Sequence, residues 1–145
     1  MSSAPLTEQE LSHYRSYIGR RLVETDSVAP EVIGRIAAAL DEPWTGGDAA
    51  LPPLWHYGLF LPDTPTAALG PDGHPPRGAF MPDVRLPRRM FAGSDMRFLA
   101  PLRAAVPALR TSEVSAVDLR RGKSGELVFV KVKSEVVQRD TLCIE

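Results

Sequence analysis

The residues able to do chemistry in this 145-residue chain are few and scattered. Its histidines are His13, His56 and His74, and they do not cluster at metal-ligand spacing, so no metal site is expected. His13 falls on a polar helix face and His74 in the loop sequence Pro71-Asp72-Gly73-His74-Pro75-Pro76. His56 differs because it interrupts an apolar run. Two readings stay open for it: a core imidazole bonded to backbone, or an acid–base group in contact with substrate near neutral pH. Gly122-Lys123-Ser124 has the ending of a phosphate-binding loop, but position 117 is Val where that motif needs Gly. It is read as a turn between strands. No serine has a nucleophile-elbow context, and Cys143 lies in a terminal strand, so covalent catalysis finds no support. Asp41, Glu42 and Asp48 read as a solvated helix end. Arg85, Arg88, Arg89, Arg97 and Arg103 make the second half locally basic, either as scattered surface charge or as a site for a phosphorylated carrier, because guanidinium binds phosphate in a fork.

The elements that would position these groups can be read from patterning. Thr7-Glu8-Gln9-Glu10 is a capping box, followed by Leu11, Tyr14, Tyr17 and Ile18 at helical spacing, with Gly19 as the stop. Arg21–Thr25 reads as extended. Pro30 opens a second helix with the stripe Val32, Ile33, Ile36, Ala37 and Leu40, closed by Asp41-Glu42-Pro43. Leu51–Leu61 lacks a polar face and is either an enclosed helix or a buried strand; we take the enclosed helix, with Pro52 and Pro53 at its start. Ten of the fourteen prolines fall between Pro43 and Pro87, and 62–87 reads as a long loop. Met96, Phe98 and Ala100 share one face of an expected strand. Arg110–Leu119, Glu126–Gln138 and Thr141–Glu145 follow as strands, the last still running where the sequence ends. Helices followed by consecutive strands predict an α+β fold, an apolar helix packed on the concave face of a curled antiparallel sheet.

Composition narrows the classes. Apolar residues make up 43% and charged residues 24%, which fits one globular domain spanning 1–145. A net charge of −1 gives no sign of a nucleic-acid partner. One cysteine excludes an internal disulfide and fits a reducing cytoplasm. The start has neither a basic cluster nor an apolar run, so no signal peptide is expected, and no stretch is suited to a membrane.

Several segments together resemble a known family. Ile18-Gly19-Arg20, the run Val28-Ala29-Pro30-Glu31 leading to Arg35–Pro43, and Leu54-Trp55-His56-Tyr57 carry the first part. Pro87-Arg88-Arg89-Met90-Phe91-Ala92-Gly93, the run Met96–Arg103, and Gly122–Val130 carry the rest, with Arg-Arg-Met-Phe-Ala-Gly the most specific. These resemble the N-terminal half of MaoC-like hydratases and dehydratases, of the mesaconyl-CoA hydratase and type 2 hydroxyacyl-thioester dehydratase kind. The resemblance implies a hot-dog fold, in which an antiparallel sheet wraps a central apolar helix. Either 30–40 or 51–61 would serve as that helix, and enclosure favours the second. It also implies paired folds with a CoA thioester between them, no separate cofactor, and syn addition of water directed by an Asp-x-Asn-Pro-x-His motif. This sequence departs from that motif: Asp41 is followed by Glu42-Pro43-Trp44-Thr45-Gly46, with no His in the fifth place. No catalytic residue is therefore assigned. The chain is expected to be the substrate-holding half of a hydratase, needing a second hot-dog unit as a homodimer, a catalytic partner, or a further part of its own polypeptide. Trp55, His56 and Tyr57 are expected near the acyl group. Arg88 and Arg89 are expected near a substrate carboxylate or the CoA phosphates, with Gly93 completing the tunnel wall. The alternatives are an inert acyl-CoA-binding or scaffold module, and a hot-dog thioesterase using a carboxylate such as Asp41 or Asp48.

Overall fold

A computed structural model describes residues 4–122 and 125–145; Lys123 and Ser124 of the expected turn lie outside the described residues. The order of elements is α1 (Glu8–Arg15), β1 (Arg21–Asp26), α2 (Pro30–Ala39), β2 (Ala108–Gly122), β3 (Gly125–Gln138) and β4 (Thr141–Ile144). Two short 3-10 turns, Trp55–Gly58 and Thr66–Ala68, lie between α2 and β2. The strands form one antiparallel sheet in the order β1-β2-β3-β4. The architecture is α+β, as the sequence predicts. Residues 136–138 pair with 141–144 across a tight turn, with a bulge between Val136 and Val137. Arg139 and Asp140 make that turn with φ of 47° and 63°.

The chain divides into two compact units. The first comprises Met1–Leu22, Pro62–Ser94 and Ser112–Lys133. Here α1 forms because its capping box is complete: Glu10 N donates to Thr7 Oγ1 (3.2 Å) and Thr7 N donates to the Glu10 carboxylate (2.7 Å). The helix ends at Arg15, and turns carry the chain to Gly19, whose φ of +86° suits glycine. Leu11 and Tyr14 pack with Leu6, Val114 and Val117.

The proline-rich stretch of this unit solves a donor shortage. Proline has no N–H, so many carbonyls there have no backbone partner. Arginines supply the missing donors. Arg77 donates to the carbonyls of Val84 and Leu86, Arg89 to Pro75, and Arg20 to Gly78 and Ala79, while Arg85 of the stretch donates to Ala4 and Pro5 ahead of α1. Tyr17 Oη donates to Gly78 O at 3.0 Å, and the Arg20 guanidinium lies 3.7 Å from the Tyr17 ring centroid.

The second unit comprises Val23–Leu61, Asp95–Thr111 and Ser134–Glu145. Its core gathers Ile33 of α2, Leu51, Leu59, Phe60, Leu102, Ala104 and Val136 with Cys143 and Ile144. The α2 helix keeps the middle of the predicted stripe: Ile33 and Ala37 are buried and Ile36 is half-buried, whereas Val32 and Leu40, expected in the same stripe, are exposed.

Two expectations are overturned. No enclosed helix forms over 51–61. Pro52 and Pro53 cannot donate, Leu54 and Phe60 sit at φ of 74° and 58°, and only the single turn Trp55–Gly58 survives. Nor is the segment enclosed, since Leu54, Tyr57 and Leu61 are 53%, 58% and 70% exposed. The apolar helix of the fold is α2. Met96–Ala100 is likewise no regular strand. It makes one isolated bridge, Phe98 with Ile144, because it borders only the short β4 before Pro101 ends the pairing.

Candidate functional site

The second unit holds a groove of about 260 Å³, with Leu51, Pro53, His56, Phe98, Pro101 and Ile144 among its walls. The other lining residues are Pro, Leu and Ala. Local pairing builds it. Residues 97–99 hydrogen-bond to 143–145: Arg97 N to Glu145 O (2.8 Å), Glu145 N to Arg97 O (3.1 Å) and Leu99 N to Cys143 O (2.8 Å). After Pro101 the same stretch pairs with 49–51, through Leu51 N to Leu102 O (2.7 Å) and Ala104 N to Ala49 O (3.2 Å). Buried Gln138 fixes the bend beyond: its side chain accepts from Arg103 N (2.8 Å) and donates to Arg103 O (3.0 Å) and Val106 O (2.8 Å).

His56 contributes the one titratable side chain of the groove lining. Its ring stacks on Tyr57, with centroids 4.6 Å apart, and meets Phe98 edge-on at 5.8 Å. Its Nδ1 is buried without a hydrogen-bond partner. Burial lowers the imidazole pKa, and the positive charge of Arg110 lowers it further. The ring is therefore neutral at physiological pH. Of the two readings open in the sequence, the backbone-bonded core imidazole fails; His56 is half-buried and faces a groove.

A clamp holds the turn that carries His56. Arg110 of β2 donates through Nε (2.9 Å) and Nη2 (2.6 Å) to one oxygen of Glu24 on β1. The same guanidinium lies 4.5 Å from the Phe60 ring centroid. Asp26 accepts from Phe60 N at 2.6 Å and so fixes the left-handed backbone there. Ile36 of α2 packs beneath the turn, in ordinary van der Waals reach of Gly58.

Trp55, His56 and Tyr57 come together on one turn. Trp55 packs against the core and lies 6.3 Å from Trp44, while Tyr57 is exposed with its hydroxyl toward Met96 Sδ. Arg88, Arg89 and Gly93 belong to the first unit. Arg88 and Gly93 are exposed, and Met90 and Phe91 between them are strongly so. Arg89 is engaged by Asp72 at 3.5 Å, so an anion binding there would compete with that carboxylate. Much of the basic surface is similarly occupied: Arg85 pairs with Glu10, Arg97 with Glu145, and Arg103 lies 3.9 Å from Asp48. Sequence reasoning missed Leu51, Phe98, Pro101 and Ile144 as groove walls and Arg110, Glu24 and Asp26 as the clamp. The shared face of Phe98 and Ala100 was the available signal for the first set; for the clamp there was none.

Among the described residues no group of three His, Cys, Asp or Glu is placed to hold a metal ion, and no helix is long and apolar enough to cross a membrane.

An α+β unit with an apolar groove beside a neutral imidazole is what remains to be classified. The sequence profile of the hydroxyacyl-thioester dehydratase type 2 family matches residues 54–145, so the chain belongs to that family, and its architecture is consistent with the family's hot-dog fold. Among curated proteins it is similar to the mesaconyl-C(4)-CoA hydratase of Chloroflexus aurantiacus, with 44% identity over 136 residues, or 91% of this chain. The aligned region is 48% of that relative, so the chain spans about half its length.

Proposed function

We propose that this chain is the substrate-holding, non-catalytic half of an enoyl-CoA hydratase or dehydratase acting on a short, branched dicarboxylyl-CoA such as mesaconyl-CoA. The observation that carries this reading is the groove lining: apolar walls, one neutral imidazole and no carboxylate. Adding water across an α,β-unsaturated thioester needs a group to orient and deprotonate the water and another to protonate the α-carbon. One half-buried imidazole with a sealed nitrogen is half of such a pair. The Asp-x-Asn-Pro-x-His motif is absent here, and similarity to half of a hydratase supports placing the acid–base pair on a second hot-dog unit. The role left for this chain is to hold the thioester while that unit acts on it. The protein works in the cytoplasm, without a cofactor of its own.

The test is reconstitution. Mesaconyl-CoA hydration is followed by loss of enoyl-thioester absorbance, with the chain alone and mixed with or fused to a hot-dog unit carrying the motif. The chain alone is expected to be inactive and the combination active. Inactivity in every combination removes the reading. Calorimetric binding of acyl-CoA without turnover in any mixture would favour the inert binding module instead.

A further inference from the structure

We propose that the groove beside His56 receives the uncharged, methyl-bearing side of the acyl group and excludes a free carboxylate, with the imidazole serving as a fixed neutral hydrogen-bonding group. The inference rests on the hydratase reading for the thioester itself, and it adds which part of the acyl group enters.

Three observations carry it. First, the side chains of the walls are hydrocarbon apart from one imidazole, and the remaining polar surface is uncharged backbone. A carboxylate brought among Leu51, Phe98, Pro101 and Ile144 would lose its hydration without gaining a counter-charge, whereas a methyl group gains by leaving water. Second, His56 is poorly built to become that counter-charge. Its Nδ1 is buried with no acceptor, so a second proton would create an unpaired, charged N–H in a dry position. Orphaned buried N–H groups are rarer than orphaned acceptors, which leaves the single proton on Nε2 as the donor available to a guest. Third, the charges around the turn are already committed. Arg110 is held by Glu24, Asp26 accepts from the amides of Ser27 and Phe60, and Arg97 beside Phe98 pairs with Glu145. The one charge felt by the ring is positive and opposes protonation, as burial does. In a dicarboxylyl thioester methyl-branched at C3 the methyl and the carboxylate share a carbon, so the groove would take the first and leave the second outside.

The experiment titrates the full chain with two small thioesters of N-acetylcysteamine, 3-methylcrotonyl (uncharged, branched) and fumaryl (anionic, unbranched), following the backbone amide resonances of Phe98, Leu99 and Ile144 in the groove by NMR, which report equally in the wild type and in His56 variants. The uncharged probe is expected to bind with at least tenfold higher affinity, changing less than twofold between pH 7 and 8. H56Q, which keeps a neutral donor, is expected to retain that affinity within about threefold. H56F, which keeps the shape, is expected to lose about tenfold, the scale of one hydrogen bond. Tighter binding of the fumaryl probe, affinity that climbs tenfold per pH unit on acidification, an unaffected H56F, or no saturable binding of either probe would each overturn the inference. Reconstituted hydration without this discrimination would leave the function standing and remove only the inference; discrimination without hydration would do the reverse.

Discussion

In the first unit the proline-rich stretch is tied by guanidinium groups that donate to its carbonyls, Arg77 and Arg89 from in or beside the stretch and Arg20 from beyond α1. In the second unit the irregular stretch from Trp44 to Leu61 is pinned from inside, by Leu51, Leu59 and Phe60 in a core shared with Ile33 and Leu102. Neither segment forms a regular helix or strand; the first adds guanidinium–carbonyl bonds to the packing of half-buried Phe80, Val84 and Leu86, and the second adds the Arg110–Glu24 clamp to buried Leu51, Leu59 and Phe60. The contrast explains why the groove belongs to the second. A wall made of apolar side chains can be left partly open as a binding surface, whereas a wall of paired charges is already occupied by its own partners.

The comparison is broken most forcefully at Ile33, which is fully buried. Ile33→Ala is expected to cost about 2–5 kcal/mol in urea unfolding, because the hydrocarbon contact is lost and the cavity is only partly refilled. A loss under about 1 kcal/mol would mean that the second unit is not held by its core. Thr7→Ala, in the first unit, removes the cap of α1 and is expected to cost about 1 kcal/mol by the same measurement.

Acid should separate the units further. The hydrogen bond from Arg85, followed by those from Thr7, lowers the Glu10 pKa to about 2 from the ordinary 4.5. A carboxylate with a depressed folded-state pKa stabilises fully above its unfolded value, and the contribution disappears as pH falls through the folded one. Asp72 and Glu126 of the same unit are shifted in the same direction, mainly by the backbone amides of His74 and Leu6. The stability difference between wild type and Arg85→Met is therefore expected to be constant above about pH 5 and to shrink toward pH 2, and to be smaller in high salt because the pair is solvent-facing. A difference independent of pH would show that Arg85 acts by packing alone.

The smallest effect sharpens the second unit. Arg110→Met removes the positive neighbour of His56, so the imidazole pKa is expected to rise, while burial, the larger cause, still keeps it below the ordinary histidine value of about 6.5. NMR titration of the ring reads this directly. An unmoved pKa would detach the clamp from the groove's electrostatics.

Legibility followed the range of the interactions. The capping box at Thr7 and the inner positions of the α2 stripe, Ile33, Ile36 and Ala37, are local patterns, and both appear in the structure as the sequence predicts. The 51–61 segment was misread because its composition records hydrophobicity without recording backbone conformation. Two prolines and two left-handed residues decide against a helix, and at Phe60 burial in the core and the hydrogen bond to Asp26 hold the left-handed backbone.

The sequence by itself determined that the chain is α+β, that it carries no Asp-x-Asn-Pro-x-His pattern, and that His56 sits in apolar company; these depend on residue type and near-neighbour spacing. Only the tertiary structure decided that α2 is the core helix, that Phe98 and Ile144 face His56 across a groove, and that most arginines are bound to carboxylates or carbonyls of their own chain. Those outcomes join residues dozens of positions apart, and such pairings follow from which surfaces meet, a property that local periodicity does not encode.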